Sequence, residues 1–341
     1  MTTTSTVVNA RLDAPVVPSR WTKFRFFVLR LPILQLSVLL ALILWLVISI
    51  PAFVNRLSIV SVLILAALLA LAALGQTFVV LIGGLDLAIP GYIIVGAFIS
   101  SNLAGGAGWP IPLALLMTVV ICGLVGAFVG FVSHRYNVQP LVLTLGINAA
   151  LVGGTLFVAK ANFTSAPPDA LRALTAINGT TFGLPIPPIL LIVLAAVVLV
   201  WLFLTRTASG RRLYATGTNA RAAELTRVHT GKVWTLTFAT SGITAGIAGM
   251  FIASFSAGWS ANIGEPYFFT GLAAVLLGGT TFGSIHGSYT RTVLGALILT
   301  LLSTIVLSVG MSESESRIIY GFVVIAAAFL YGRERHVRNR F

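Results

Sequence analysis

Long apolar stretches separated by short polar segments dominate the sequence. The stretches run for about 17 to 25 residues, the length that an α-helix needs to cross a hydrocarbon core about 30 Å thick. The pattern predicts an all-α fold with ten membrane spans. They lie near residues 33–51, 57–82, 88–104, 110–132, 139–159, 188–205, 233–256, 266–281, 289–309 and 317–332. Eight or twelve spans also fit, because segments 83–104 and 266–288 are short and broken by glycine.

The positive charges predict the orientation of these spans. Lys and Arg cluster in three segments, residues 1–30, 206–232 and 333–341. Of the 21 such residues, those that fall on the opposite side are Arg56, Lys160, Arg172 and Arg317. Cytoplasmic segments of membrane proteins carry this kind of excess. We therefore expect one transmembrane domain over residues 31–332, with both basic tails and loop 206–232 in the cytoplasm and the long loop 160–187 outside.

Composition excludes the soluble classes of protein. Charged residues make up 9% of the chain, against roughly 25% in an ordinary soluble domain. The mean hydropathy is +1.02. A net charge of +13 could indicate a nucleic-acid partner, but the cations flank apolar spans and are not interleaved with base-stacking aromatic residues. We therefore predict a multi-pass membrane protein in contact with the lipid bilayer, without a nucleic-acid partner.

Two pairs of small residues predict close contacts between spans. Gly126 and Gly130 are four residues apart in one predicted span, and Gly242 and Gly246 have the same spacing in another. Glycines at this spacing let helix backbones approach closely inside a bilayer. Packing is therefore the expected role of both pairs.

Two segments that echo each other carry the most information on function. They are VVLIGGLDLAIPGYIIVGAFIS (79–100) and AVLLGGTTFGSIHGSYTRTVLGALIL (274–299), with glycine pairs Gly83, Gly84 and Gly278, Gly279. Broken helices at membrane depth survive where protein or a water-filled path covers the backbone. Corresponding broken segments in two halves of a chain point to a transport pathway. The alternative is two ordinary loops in which the glycines end helices.

Polar residues near these breaks are candidates for the translocation path or its gate. Asp86 is the acid of the first broken segment, and an ionisable group at membrane depth is a functional candidate. It also has the position of an N-cap for a helix resuming at Leu87, with Pro90 in the first turn. Both roles stay open. Gln76 and Asn148 complete the set, and each could instead bond a neighbouring helix.

The sequence carries no motif for chemistry of its own. It lacks the phosphate-binding loop of ATPases, the H-E-x-x-H metal motif and the G-x-S-x-G nucleophile motif. Ion-coupled carriers often bury several acids, whereas Asp86 stands almost alone here. We therefore expect a chain that is not an enzyme, binds no metal or cofactor, and takes its energy from another polypeptide.

The basic segment 205–232 is the candidate docking site for that polypeptide. Asn219 is placed to cap a short helix over residues 220–225. The small side chains of this helix would present a low surface to a groove on a partner. The alternative is an interfacial helix attracted to anionic lipid.

Four motifs, in this order, resemble the ribose/xylose/galactose-type inner-membrane permeases of bacterial ATP-binding-cassette (ABC) importers. They are GQTFVVLIGGLDLAIPG, VQPLVLTLGINAALVGG, TASGRRLYATGTNARAAEL and GLAAVLLGGTTFGSIHGS. The resemblance covers about residues 57–332. It implies a bacterial inner-membrane permease that pairs with a second copy or a paralogue. It also implies cytoplasmic ATPase subunits that bind ATP and Mg, and a periplasmic or lipid-anchored protein that delivers a monosaccharide.

The resemblance also implies the coupling residues. Residues 205–228 match the family's ATPase-contacting loop, which assigns coupling to Gly210, Arg211, Tyr214, Gly217, Asn219, Ala222 and Leu225. The chain departs from the usual family pattern at Ala88 and Pro90, at residues 226–228 and at residues 268–270. A permease for branched-chain amino acids or nucleosides is therefore the alternative. A membrane scaffold or passive channel without an ATPase is the alternative of a different class.

Overall fold

The computed structural model describes residues 32–283, 287–312, 314–316, 318–322 and 325. Apart from one isolated β-bridge between Thr181 and Leu184, the regular structure of these residues is helical, which confirms the predicted all-α class. The two basic tails, 1–30 and 333–341, lie outside the described residues, as do positions 284–286 of the second broken segment.

Twelve α-helices follow one another along the described residues. They are α1 (Ile33–Ser49), α2 (Arg56–Leu81), α3 (Ile89–Phe98), α4 (Ile111–Tyr136), α5 (Pro140–Ala159), α6 (Asp169–Thr175), α7 (Pro188–Arg206), α8 (Ala208–Thr218), α9 (Ala220–Leu225), α10 (Thr230–Phe255), α11 (Tyr267–Leu277) and α12 (Tyr289–Ser308). A 3₁₀ turn at Pro51–Phe53 precedes α2, and a π-helical stretch, Ile99–Gly106, continues α3.

Seven of these helices are long and apolar enough to cross a membrane. They are α2, α3 with its π-helical continuation, α4, α5, α7, α10 and α12. The shorter apolar helices α1 and α11 lie at two other predicted spans. The last predicted span, 317–332, falls mostly outside the described residues. The total of ten spans therefore stays a prediction.

Helix α2 lies at the centre of the bundle. The Asn55 side chain caps its start by accepting the Ser58 N–H at 3.0 Å, and a long run of Leu, Ala and Val follows. Every residue from 66 to 82 is buried. A helix that is apolar on all sides belongs inside a bundle rather than at its surface, and α2 accordingly packs against α10, α11 and α12.

The two glycine pairs bring α4 and α10 together, as predicted. A Cβ on Gly126 would overlap the Phe238 carbonyl oxygen, and a Cβ on Gly242 would overlap the Cys122 carbonyl oxygen. The backbones of the two helices therefore touch, and this is the most extensive helix pair in the structure. Because α10 also packs along α2 and α3, it forms one wall of the region around the first broken segment.

The loops contain two helices that the sequence analysis did not predict. Helix α6 lies in the long loop 160–187, where Arg172 pairs with Asp169 at 3.0 Å on the surface. Helix α8 occupies the first half of loop 206–232. Neither helix has a long apolar stripe, so neither produces the signal that identifies a membrane span.

Candidate functional site

The first broken segment begins with a tight helix end at Gly83. Its φ of +85° is left-handed, a conformation that glycine adopts without strain. The Gly83 N–H donates to the Val80 carbonyl at 3.0 Å, and the Gly84 N–H donates to the Val79 carbonyl at 2.9 Å. These two bonds form a Schellman motif, which satisfies the last carbonyls of α2. The chain then runs without regular structure to Ala88.

Asp86 bonds to the backbone just before the next helix. Its carboxylate Oδ1 accepts the Ala88 N–H at 2.9 Å, and the side chain is almost completely buried. Helix α3 resumes at Ile89 rather than at Leu87, because Leu87 and Ala88 still belong to the turn that the Asp86 carboxylate stabilises. Asp86 therefore fixes the entry into α3 from two residues before its N-cap.

A second polar residue completes the cap of α3 from another helix. The Asn148 side-chain oxygen, on α5, accepts the Gly91 N–H at 2.8 Å. Gly91 is the third residue of α3, so its N–H has no carbonyl partner inside that helix. Asp86 and Asn148 thus satisfy two backbone donors at the start of α3, those of Ala88 and Gly91, and both are residues that the sequence analysis selected.

The second broken segment repeats the first in a shifted register. Helix α11 ends in another Schellman motif, in which Gly279 has a φ of +81°. The Gly279 N–H donates to the Leu276 carbonyl at 2.8 Å and the Thr280 N–H to the Val275 carbonyl at 3.1 Å. Gly279 therefore has the same structural role as Gly83. Gly83 is the first glycine of the first pair, whereas Gly279 is the second glycine of the second pair. Gly278 instead allows close packing, since a Cβ there would overlap the Arg291 carbonyl oxygen.

The two broken segments touch. The Gly283 N–H, in the second segment, donates to the Val80 carbonyl at 3.0 Å. The same carbonyl accepts the Gly83 N–H of the first segment. A Cβ on Gly287 would also crowd the Leu81 side chain. The turn that ends α2 is therefore shared by both segments, which face each other in the described residues.

Helices α8 and α9 carry the predicted coupling residues. Thr207 caps α8 by accepting the Gly210 N–H at 3.0 Å. Asn219 caps α9 by accepting the Ala222 N–H at 3.0 Å, which confirms the predicted short helix. Gly210 is buried against α7, because a Cβ would overlap the Phe203 carbonyl oxygen. Gly210 and Asn219 thus set the shape of this segment, hereafter the α8–α9 segment (residues 207–225).

The α8–α9 segment is attached to both broken segments. The Tyr214 hydroxyl donates to the Gly287 carbonyl at 2.7 Å. Three residues later, Gly217 lies directly on the end of α2, since a Cβ there would overlap the Leu81 carbonyl oxygen. Tyr214 and Gly217 are one helical turn apart and lie on one face of α8. Helix α8 therefore contacts the backbone of both breaks directly.

The remaining coupling candidates lie on the surface. Arg211, Ala222 and Leu225 are exposed, and Leu225 keeps 85% of its surface accessible. Ala223, between them, is buried under α9. An exposed leucine among small side chains is an apolar point of contact on an otherwise basic segment. The seven candidates thus divide into inward-facing residues that attach the segment and outward-facing residues that are available to a partner.

Polar side chains near the first break are buried. Within the described residues, Gln76, Asp86, Tyr92 and Ser241 are almost completely buried. Ser241 precedes Gly242 on α10, and the Tyr92 ring would lie 3.3 Å from a Cβ on Gly242. The first break is therefore a polar region inside an otherwise apolar bundle.

A large cavity opens beside the start of α3. Its volume is about 1360 Å³, and Pro90 and Asn148 lie in its wall. The wall also contains hydroxyl, amide, carboxylate and aromatic side chains from the start of α11 and from α12. Among them are Asn262, Glu265, Tyr267, Phe269, Thr300 and Ser303. The wall is mostly apolar with a few polar groups, which is the character of small-molecule sites in general.

The cavity wall contains residues that the sequence patterns did not identify as candidates. Residues 268–270 stood out only as a departure from a family pattern, and the structure places Phe268, Phe269 and Thr270 in the wall. Thr300 and Ser303 lie inside an apolar span, where hydroxyls also commonly bond their own helix. Their three-residue spacing, which puts both on one face of α12, was the available signal.

Comparisons with known proteins agree with this arrangement. A family described as "Branched-chain amino acid transport system / permease component" matches residues 58–328. The probable ABC transporter permease protein YphD of Escherichia coli is 30% identical over 84% of this chain and 85% of its own length. The ribose import permease protein RbsC of Bacillus subtilis is 28% identical over 82% and 86%. The autoinducer 2 import system permease protein LsrD of Yersinia pseudotuberculosis is 29% identical over 75% and 78%.

No solved structure matches the chain at a significant level. The relatives are permease proteins of import systems, and seven described helices are long and apolar enough to span a bilayer. The chain is therefore a multi-pass inner-membrane protein. It belongs to the family of branched-chain amino acid transport system permease components.

Proposed function

We propose that this chain is the transmembrane permease subunit of an ATP-driven importer that carries a monosaccharide into the cell. Separate cytoplasmic ATPase subunits would supply the energy, and a periplasmic or lipid-anchored binding protein would deliver the sugar. The observation that carries the proposal is the attachment of one face of α8, through Tyr214 and Gly217, to the two broken segments. The names of several relatives, which include ribose and D-allose permeases, support the sugar.

The α8–α9 segment would receive the ATPase on its outer face. Ala222 and Leu225 would enter a groove on the ATPase, while Arg211 would contact its polar rim. Gly210 and Asn219 would keep the segment in shape. Tyr214 and Gly217 would pass the movement of the ATPase to the breaks, so that the permease itself needs no catalytic residue. ATP and Mg would be bound by the ATPase subunits, and this chain would bind no cofactor.

The cavity beside α3 would form part of the sugar path. A second permease copy, or a paralogous permease, would close its open side in a dimer. Phe268, Phe269 and Tyr267 offer flat apolar surfaces that suit the C–H face of a sugar ring. Asn262, Thr300 and Ser303 offer donors and acceptors for its hydroxyl groups. The glycine-released backbone at Gly83, Gly84, Gly278 and Gly279, together with Gln76, Asp86 and Asn148, would control access to the path.

The proposed topology has ten spans, with both termini in the cytoplasm. The excess of Lys and Arg in 206–232 and in both tails supports this orientation. The helices α1 and α11 would count as spans in addition to the seven longer ones. On this arrangement the α8–α9 segment faces the cytoplasm, where an ATPase can reach it, and α6 lies outside.

A permease for branched-chain amino acids is the second candidate, because the description of the matched family names them. The ribose and D-allose permeases among the relatives favour the sugar over the amino acid. A passive channel is disfavoured by the attachment between the α8–α9 segment and the breaks, which a channel without a partner would not use.

Reconstitution tests the proposal. Liposomes that contain this chain with its ATPase and binding protein should accumulate a labelled monosaccharide only when ATP is supplied on the side of the membrane where the ATPase is bound. A panel of pentoses, hexoses, leucine and a nucleoside separates the solute classes. ATP-dependent uptake of leucine alone would replace the sugar by an amino acid. Uptake that follows a proton or sodium gradient without the ATPase would overturn the importer class.

A further inference from the structure

A second cavity lies at the edge of the bundle, away from the proposed sugar path. Its volume is about 940 Å³, and it opens between the end of α4 and the start of α10. Glu224, Arg227 and Val228, at and beyond the end of α9, complete its wall. The sugar-path cavity shares none of its lining residues. We refer to it as the basic cavity.

The basic cavity is lined by cations that have no acidic partner. Arg135, Arg227 and Lys232 are exposed at its wall together with His229. Within the described part of the chain, none of these side chains forms a salt bridge. The single carboxylate in the wall, Glu224, accepts a hydrogen bond from the Thr230 hydroxyl. The charge of the cavity is therefore positive, and it favours an anion.

Both α4 and α10 carry an exposed apolar side chain one helical turn away from a cation of the basic cavity, on the side away from the helix end. On α4, Phe131 is four residues before Arg135, and on α10 Leu236 is four residues after Lys232. Phe131 is 53% exposed and Leu236 is 67% exposed. Residues four apart lie on the same helix face, about 6 Å apart along the axis. The cavity therefore has a charged rim at the helix ends and an apolar wall toward the membrane.

The backbone at Arg227 has a conformation that is unfavourable for arginine. Its φ is +61°, and it occupies the left-handed position of a Schellman motif at the end of α9. In that motif the Arg227 N–H donates to the Glu224 carbonyl at 2.9 Å and the Val228 N–H to the Ala223 carbonyl at 3.1 Å. Glycine fits this position without strain. An arginine held in a strained conformation at the wall of a charged cavity suggests that its side chain is used.

The wall of the basic cavity is held rigidly. The Thr230 hydroxyl donates to Glu224, and His134 bonds the same hydroxyl oxygen through Nε2 at 2.9 Å. Because Thr230 uses its proton for Glu224, His134 Nε2 is the donor in the second bond. This chain of bonds joins α4, α9 and α10. It connects the backbone elements from which the cations of the cavity project, which lowers the cost of ordering them on binding.

We infer that the basic cavity binds the headgroup of an anionic phospholipid from the cytoplasmic leaflet, with the phosphate at Arg135, Arg227 and Lys232 and the acyl chains against Phe131 and Leu236. The assignment to the cytoplasmic leaflet rests on the proposed function, whereas the inferred contacts with the headgroup and the acyl chains do not. Lys and Arg near a membrane surface attract anionic lipid, and an apolar wall one turn deeper matches the chains attached to that headgroup. A water-soluble anion would gain nothing from the apolar wall.

The test uses the isolated chain in nanodiscs of phosphatidylcholine, with or without phosphatidylglycerol, and measures thermal unfolding. Phosphatidylglycerol should raise the melting temperature of the unaltered chain by several degrees. Arg227→Gly should melt higher than the unaltered chain in phosphatidylcholine alone, because glycine relieves the left-handed strain. The same variant should lose most of the increment from phosphatidylglycerol. Lys232→Gln should also reduce the increment, without the gain in phosphatidylcholine.

Arg212→Gln is the matched control, because Arg212 is an exposed arginine of α8 that does not line the basic cavity. It should keep the full increment. If Arg227→Gly keeps the increment as well, the lipid site is wrong. An equal increment from inorganic phosphate would assign the cavity to a free anion and overturn the lipid. If Arg227→Gly keeps the lipid response but binds the ATPase several-fold more weakly than the unaltered chain, the cavity is a protein-docking surface. None of these measurements requires transport, so failure of the importer proposal leaves them interpretable.

Discussion

The Tyr214 hydroxyl donates a 2.7 Å hydrogen bond to the Gly287 carbonyl oxygen, which joins α8 to the second broken segment. Burial raises the pKa of Tyr214, while the nearby Arg291 acts in the opposite direction. The phenol therefore stays protonated at neutral pH and remains a donor. Gly287 directly precedes Ser288, the N-cap of α12. A shift of α8 thus acts on the start of a membrane-spanning helix through a single strong contact.

Tyr214→Phe should weaken the coupling between ATP hydrolysis and uptake. The change removes one hydrogen bond that is worth about 1 kcal/mol and preserves the ring. We expect a several-fold lower ratio of sugar imported to ATP hydrolysed, with unchanged binding of the ATPase. The measurement is parallel uptake and phosphate release in proteoliposomes.

Thr218→Val is the control for Tyr214→Phe. The Thr218 hydroxyl bonds the Tyr214 carbonyl within α8 at 2.9 Å and contacts neither break. Its removal deletes a hydroxyl from the same helix but leaves the attachment to the second segment. The coupling ratio should therefore match that of the unaltered chain. Equal ratios in Thr218→Val and Tyr214→Phe would exclude a role for the Tyr214–Gly287 bond in coupling.

Ala222→Trp should abolish docking of the ATPase without unfolding the permease. Ala222 is exposed on α9, so an indole there meets no neighbour in the isolated chain, but it cannot enter a groove shaped for a methyl group. Co-purification of the ATPase should fall at least tenfold, and uptake should be lost. Leu184→Trp places the same side chain on the loop 160–187, where Leu184 is 57% exposed, and should retain both. Normal co-purification with Ala222→Trp would remove α9 from the docking surface.

The sequence predicted the broken segments, close helix packing at the glycine pairs of α4 and α10, and the Asn219 cap, because each depends on local residue types. It did not predict which glycine of each pair adopts the left-handed conformation. That choice depends on where the last helical hydrogen bonds form, and a one-residue shift makes Gly279, not Gly278, the counterpart of Gly83. The bond between Tyr214 and Gly287 joins residues 73 positions apart, and no local pattern indicates it.

The cavity walls were also beyond local reasoning. The wall of the sugar-path cavity combines α2, α3, α5, α11 and α12, and a single sequence gives no measure of which faces of these helices meet. The role of Asn148 illustrates the limit. The sequence marked it as a polar residue in a span, but only the packing of α5 against α3 shows that it completes the cap at Gly91.

Asp86 offers a direct test of capping against charge. Asp86→Asn keeps the side-chain oxygen that accepts the Ala88 N–H, so we expect most uptake to remain. Asp86→Ala removes the acceptor, costs about 1 kcal/mol as a lost hydrogen bond in the turn before α3, and should reduce uptake several-fold by shifting the arrangement of the first segment. Uptake is compared at equal membrane abundance. An equally large loss in Asp86→Asn would identify the negative charge, rather than the cap, as the required property.

The left-handed glycine at the first break should affect transport beyond its effect on stability. Gly83 has a φ of +85°, and no atom of the described residues lies within 4 Å of the place where a Cβ would stand. Gly83→Ala therefore adds backbone strain of about 1–2 kcal/mol without a steric clash. The melting temperature of the purified chain should fall by a few degrees. Uptake in proteoliposomes should fall by more than the loss of folded protein explains, because the strained turn resists the backbone rearrangement that opens the path.

Gly310 provides an unusually close control for Gly83. It ends α12 with a φ of +87°, and a Cβ there would also meet no atom of the described residues within 4 Å. Gly310→Ala should therefore lower the melting temperature by a similar amount. Because Gly310 lies outside both broken segments, uptake per folded molecule should stay near that of the unaltered chain. Gly154 lies within α5, and a Cβ there would meet no atom of the described residues within 4 Å. Gly154→Ala should therefore raise stability by up to about 1 kcal/mol, because alanine favours a helix more than glycine does. Equal uptake losses in Gly83→Ala and Gly310→Ala would mean that strain lowers transport only through stability, and the first break would then lose its role in gating.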